Sequence, residues 1–199
     1  MQTAGTAGEM RCKRQMKVDI FNTENRYEII YADPPWRYNA RNNLNTKFGG
    51  GVHAHYPTMS FEEIKELPVG KIAAEDCALF LWTTFPYIDK QLEVFSAWGF
   101  EYKTLGFSWI KLNKRNQQPF FGTGYYTKSN CECCLLGIKG KMKPISNYVS
   151  SCLILPMREH SRKPDEARTA IVRLFGDRPR IELLAREQTE GCDCWGNEV

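Results

Sequence analysis

The chain has 199 residues, 42% of them hydrophobic and 25% charged, with a formal net charge of +4. These values fit one soluble globular domain, large enough to bury a core. No apolar run approaches the about 20 residues that span a bilayer, and the first 16 residues are small, polar and basic, without the apolar stretch of a signal peptide. The expectations are a flexible tail over residues 1–16, a single domain over 17–199, a cytoplasmic location, no membrane partner and reduced cysteines.

In chain order, residues 27–32 (YEIIYA) read as a short strand of β-formers that stops at Asp33-Pro34-Pro35-Trp36. Residues 39–58 are polar and glycine-rich, a long loop of the kind that carries function. Its His53 and His55 have no neighbouring carboxylate or thiol with which to share a metal. Ser60-Phe61-Glu62-Glu63 is a capping box that opens a short helix to about Leu67. Residues 77–82 (CALFLW) are a continuous apolar run, the mark of a strand covered on both faces. Pro86 starts a helix with an apolar stripe at Ile88, Leu92, Phe95 and Trp98, stopped by Gly99.

Residues 100–112 form another strand or two, and a polar loop with Pro119, Gly122 and Gly124 leads to strand-like residues 133–138. Residues 152–156 are a short strand. Pro164-Asp165-Glu166 opens a helix with Ala167, Ala170, Ile171 and Leu174 on one face and Gly176 after it. Residues 180–186 are the final strand. Strands alternating with helices give an α/β fold around a mostly parallel sheet.

Ligands of such sheets sit outside the carboxyl ends of the strands. DPPW, Thr83-Thr84 and the stretch after Arg186 all fall there. As a strand terminator DPPW is adequate, but its four side chains also suit alkylation of the exocyclic amine of adenine. That nitrogen's lone pair is delocalised into the ring, so it becomes nucleophilic when its hydrogens are bound by acceptors that favour pyramidal geometry. Asp33 is an anionic acceptor, and the carbonyl of Pro34 or Pro35 is a second, held rigidly by rings that donate nothing. Trp36 offers a face on which an extruded base can stack.

Between residues 102 and 143 eight cations face one carboxylate, Glu132, and they alternate with Tyr102, Phe107, Trp109, Phe120, Phe121, Tyr125 and Tyr126. Charges for phosphate and rings for bases suit a nucleic acid. The cysteines form two clusters, Cys131/Cys133/Cys134 and Cys192/Cys194, which between them could supply four thiolates to zinc. Because Cys133 and Cys134 run into an apolar strand, core thiols are the preferred reading and no metal is assigned.

Beyond these four letters, the chain resembles the adenine N(6)-methyltransferase family related to the catalytic subunit of the eukaryotic messenger-RNA adenosine methyltransferase. The likeness runs in order through DPPW, His55-Tyr56-Pro57-Thr58-Met59, residues 79–82 (LFLW), residues 107–111 (FSWIK), residues 124–127 (GYYT), residues 161–166 (SRKPDE), residues 181–186 (IELLAR) and Trp195-Gly196-Asn197. It covers roughly residues 27 to 198.

The resemblance implies a Rossmann-like fold with permuted motif order, S-adenosylmethionine as methyl donor and adenine in nucleic acid as target. Asp33, Pro34, Pro35 and Trp36 would orient the adenine, with Asp33 also near the donor's methionine part. Lys163, beside the exposed N–H groups of the following helix, would meet the donor's carboxylate. Glu182, Leu183 and Leu184 would run along the donor, Arg186 and Gln188 would lie near its ribose or adenine, and Asn197 would bind the ribose hydroxyls. The family often shows His-Asn where this chain has Gln188-Thr189, and no glycine-rich fingerprint follows any strand. A donor without a pyrophosphate needs none.

The loops 39–58 and 112–127 would close over the target, so Tyr38, Tyr56, Lys111, Lys114, Arg115, Tyr125, Tyr126 and Lys128 are the expected nucleic-acid contacts. A compact stand-alone chain suggests a microbial or phage DNA enzyme rather than an RNA enzyme. A homodimer or a related methyltransferase-like subunit is left open. The competing readings are a non-catalytic nucleic-acid-binding subunit, a zinc module, and a methyltransferase of small molecules or protein amides. Intact Asp33, Trp36 and Lys163 argue against the first, the apolar setting of Cys133 and Cys134 against the second, and the basic-aromatic segment against the last.

Overall fold

A computed structural model describes residues 16–37, 58–122, 124, 126–159, 162–197 and 199. Seven strands form one sheet: β1 (Tyr27–Ala32), β2 (Ala73–Thr83), β3 (Glu101–Leu112), β4 (Cys131–Lys139), β5 (Cys152–Pro156), β6 (Arg180–Leu183) and β7 (Asp193–Trp195). Their order across the sheet is β5-β3-β4-β2-β1-β6-β7. All neighbours pair in parallel except β4, which runs antiparallel to both β2 and β3. The helices are α1 (Phe61–Lys65), α2 (Val69–Ile72), α3 (Ile88–Ala97) and α4 (Asp165–Phe175). The doubly covered α/β architecture matches the expected Rossmann-like class.

The central strands explain why their sequences are apolar without alternation. Ile30, Ala32, Leu79 and Leu81 point into the core shared with α1 and α3, while Ile29, Tyr31, Ala78, Phe80 and Trp82 point into the core under α4. Each residue of β1 and β2 in this stretch therefore meets one core or the other. The capping box holds as read: Ser60 accepts the Glu63 N–H, and the Glu63 carboxylate accepts the Ser60 N–H.

Several expectations shift. The helix read from Pro86 begins as a 3-10 turn over Phe85–Tyr87 and becomes α-helical at Ile88. Residues 101–112 form one strand, bent by register shifts between Tyr102 and Thr104 and between Leu105 and Phe107. The final strand stops at Leu183 rather than Arg186, because Leu184 has φ +59°, a left-handed conformation that costs an ordinary L residue about 1–2 kcal/mol. β7 was not foreseen as a strand. Met16, expected in the flexible tail, is bonded to the edge of the sheet. The Met16 carbonyl accepts the Cys194 N–H, and Val18 N–H donates to the Cys194 carbonyl, so this segment lines the outer edge of β7. Residues 1–15 lie outside the described residues. Among the described residues no helix is long and apolar enough to cross a membrane.

Candidate active site at the carboxyl ends of the strands

Asp33 is the first residue beyond β1, and the next three residues are held by backbone. The Trp36 N–H donates to the Pro34 carbonyl, and the Met59 N–H to the Pro35 carbonyl, each at 2.9 Å. Both prolines lack an N–H, so this turn presents acceptors without competing donors, and each carbonyl oxygen retains a second lone pair. Trp36 is 4% exposed; its ring lies 5.6 Å from Phe61 and its indole N–H donates to the Trp82 carbonyl at 3.0 Å. The face expected to receive a base is thus packed into the core, and Trp36 holds the turn instead. Trp36→Phe is expected to lower stability by about 1–3 kcal/mol, since the buried Trp82 carbonyl loses that donor. Denaturant unfolding measures this, and an unchanged midpoint would contradict it.

Around Asp33 lies a chain of four alternating charges. Lys163 Nζ donates to Asp33 Oδ2 at 2.8 Å and sits 3.3 Å from Glu132 Oε2, while the other Glu132 oxygen pairs with Lys111. The topology makes this possible. Since β4 runs against its neighbours, its first residues lie at the edge where β2 and β3 end, with Trp109 opposite Glu132 and Thr83 opposite Cys133. Lys163, just before α4, also lies 5.5 Å over the Trp82 ring, whose indole N–H donates to the Tyr31 hydroxyl at 2.7 Å.

Burial pushes the Lys163 ammonium down, but Asp33 and then Glu132 outweigh it and hold the cation above the ordinary lysine range. Burial likewise pushes the Glu132 carboxyl up, and Lys163 and Lys111 together bring it below its ordinary value of 4.5. Lys163 and Glu132 therefore both carry their charges at neutral pH. At the neighbouring exit of β2, buried Gln91 of α3 accepts the Thr84 N–H at 2.8 Å and donates to its hydroxyl at 3.0 Å.

The segments that carry the other expected donor contacts leave the sheet at the same edge. Ala32 is opposite Leu183, and Leu183 is opposite Trp195, so Asp33, Leu184 and Gly196 are successive exits from adjacent strands. Leu183 is fully buried; Leu184 and Arg186 are half-buried; Gln188 and Asn197 are exposed. Arg162 bridges Asp165 and Glu187, both at 2.9 Å, and ties the entry of α4 to the segment after β6. The Glu182 side chain is turned toward α4, where Arg168 grips it with two bonds of 2.8 Å. Burial raises this carboxyl above its ordinary range despite the guanidinium.

The MT-A70 family profile matches residues 27–198. The chain belongs to the MT-A70 family. It is 33% identical over 189 residues to the type II methyltransferase M.MunI of a Mycoplasma species, covering 87% of this chain and 78% of that protein. It is 29% identical over 186 residues to an Arabidopsis thaliana N(6)-adenosine-methyltransferase MT-A70-like protein, and 27% over 165 residues to the human N(6)-adenosine-methyltransferase catalytic subunit METTL3. Those two matches span 92% and 81% of this chain, but only 24% and 26% of the relatives.

In this MT-A70 chain the expected nucleic-acid residues fall into three groups. Tyr38, Tyr56 and Tyr125 lie outside the described residues. Lys111 is half-buried in the charge chain, paired to Glu132 and 5.2 Å over the Trp109 ring. Lys114, Arg115, Tyr126 and Lys128 are exposed on an extension beyond β3 and β4, closed by bridges between Leu112 and Pro119 and between Gly122 and Ser129.

The two cysteine clusters lie in β4 and beside β7 with β2, β1 and β6 between them, about 19 Å of sheet, so they cannot share an ion. Among the described residues no group of His, Cys, Asp and Glu is arranged to hold a metal. Glu132 and Arg168 were not among the site residues expected from the sequence. Glu132 did leave a signal, as the lone carboxylate in a cationic segment at the head of an apolar strand.

Proposed function

We propose that this protein transfers a methyl group from S-adenosylmethionine to the exocyclic N(6) amino group of adenine in nucleic acid, with DNA the favoured polymer. The observation that carries the reading is Asp33, fixed by Lys163 at the carboxyl end of β1 beside two proline carbonyls. When bound, the donor supplies an electrophilic methyl on a sulfonium. The edge around Asp33 suits its chemistry: a lysine for its carboxylate, a carboxylate near its cationic end, and the polar side chains of Arg186 and Asn197 for its nucleoside.

Asp33 and the adjacent proline carbonyls accept the hydrogens of the adenine amine and favour a pyramidal nitrogen. Lys163 holds the Asp33 carboxylate in place, and Glu132 with Lys111 holds Lys163. The packed Trp36 fixes the turn that presents these acceptors, which are set before the reaction rather than reorganised during it. Lys114, Arg115, Tyr126 and Lys128 supply phosphate and base contacts on the extension beside this edge.

DNA is favoured because the type II methyltransferase is matched over most of its length, whereas the N(6)-adenosine-methyltransferases are matched over about a quarter of theirs. Those relatives support RNA as the second reading. Turnover on sequence-matched single-stranded DNA, duplex DNA and RNA tests the choice. Faster methylation of either DNA form supports the first reading, and methylation of RNA alone replaces it with the second.

A further inference from the structure

The sequence has no glycine-rich turn after any strand, yet two chain segments cross closely where β6 and β7 leave the sheet. Leu184 takes its left-handed backbone immediately after Leu183. Ala185 follows, buried, with its N–H donating to the Trp195 carbonyl at 3.0 Å. Gly196 lies against this peptide. A Cβ on Gly196 would stand 2.6 Å from the Ala185 nitrogen, 3.0 Å from the Leu184 carbonyl carbon and nearer still to the Ala185 oxygen. All three are backbone atoms, so no rotation of a side chain could relieve the clash. One residue beyond this crossing stand Arg186 on one segment and Asn197 on the other.

A nucleotide-binding α/β sheet ordinarily meets two needs in one glycine-rich turn: a left-handed backbone for the bend, and a missing side chain for close approach. Here the two are divided between strands. The bend is a leucine after β6, and the missing side chain is a glycine after β7.

We propose that left-handed Leu184 and Gly196 are positioning residues of the methyl-donor site, a split counterpart of the glycine-rich turn that sets the spacing between Arg186 and Asn197. This rests on the donor reading given above. Neither residue needs to touch the donor with its side chain. The backbone conformation of one and the missing Cβ of the other do the positioning.

The test is calorimetric titration of the full chain with S-adenosylhomocysteine, alongside thermal melting of each variant. Gly196→Ala is expected to weaken binding by about tenfold or more, and so is Leu184→Ile, whose β-branch disfavours the left-handed region. Leu184→Gly adopts that backbone freely and is expected to bind within about threefold of wild type. The inference is overturned if Gly196→Ala and Leu184→Ile fold and bind like wild type. It is overturned equally if Leu184→Gly loses as much affinity as Leu184→Ile, because the side chain would then be what matters. Should Gly196→Ala fail to fold, the two Leu184 variants decide alone. Wild-type protein that binds no S-adenosylhomocysteine would remove the donor reading itself, an outcome distinct from variants that match a binding wild type.

Discussion

Asp33→Asn is expected to cut methyl transfer by about 10²–10³-fold or more, the range seen when one preorganised stabilising group is removed from an active site. Asparagine keeps the shape, but it replaces an anion with a neutral amide whose NH₂ can only donate. An amine that must donate its own hydrogens meets a donor in one of the two rotamers and a weaker acceptor in the other. The fold should survive. Lys163 keeps Glu132 as a counter-charge at 3.3 Å, so the stability cost should stay within about 1–3 kcal/mol. Single-turnover methylation and thermal melting separate the two effects. A variant that melts like wild type and retains activity within tenfold would remove Asp33 from the chemistry.

Glu132→Gln should have the larger effect on stability. The carboxylate lies between Lys111 and Lys163, and the three side chains are 23%, 21% and 10% exposed. Replacing it removes a counter-charge from both lysines at once. Breaking buried pairs in this way costs about 3–5 kcal/mol, or about 6–20 °C in Tm for a chain of this size.

The pH dependence follows from the same contacts. Because Glu132 titrates below its ordinary 4.5 in the folded protein, the unfolded chain binds its proton first as pH falls. Its contribution is therefore complete above about 4.5 and is lost as pH drops through the lower folded value. Unfolding of wild-type protein in that acid window should steepen relative to Glu132→Gln, which lacks the group. Parallel curves for the two proteins would contradict the assignment.

What the sequence revealed divides along a physical line. β1, β2 and α4 were legible because their signals are local: a continuous apolar run for a strand buried on both faces, and Pro164 with two acids at a helix start. The position of Asp33 at the exit of β1 was legible because the β-forming run before it ends at two prolines. Glu132 was not, since its worth depends on β4 running antiparallel and on Lys163 arriving from before α4. The packing of Trp36 was not legible either. An indole looks the same in a sequence whether it faces solvent or packs on Phe61 with its N–H on the Trp82 carbonyl. β7 and the Leu184 bend were invisible for a similar reason. Three residues carry no periodicity, and nothing in Leu-Leu-Ala announces a left-handed leucine or the close approach of Gly196 to the peptide after it.

The most direct test of the central claim follows the methyl group itself. Purified protein is incubated with S-adenosylmethionine bearing a trideuterated methyl and with adenine-containing DNA and RNA, and the nucleic acid is then digested to nucleosides for mass spectrometry. The account predicts the heavy methyl on N(6) of adenine, on DNA in preference to RNA, and its absence with Asp33→Asn. Label on another base or another adenine nitrogen, or no transfer by protein that demonstrably binds the donor, would contradict it.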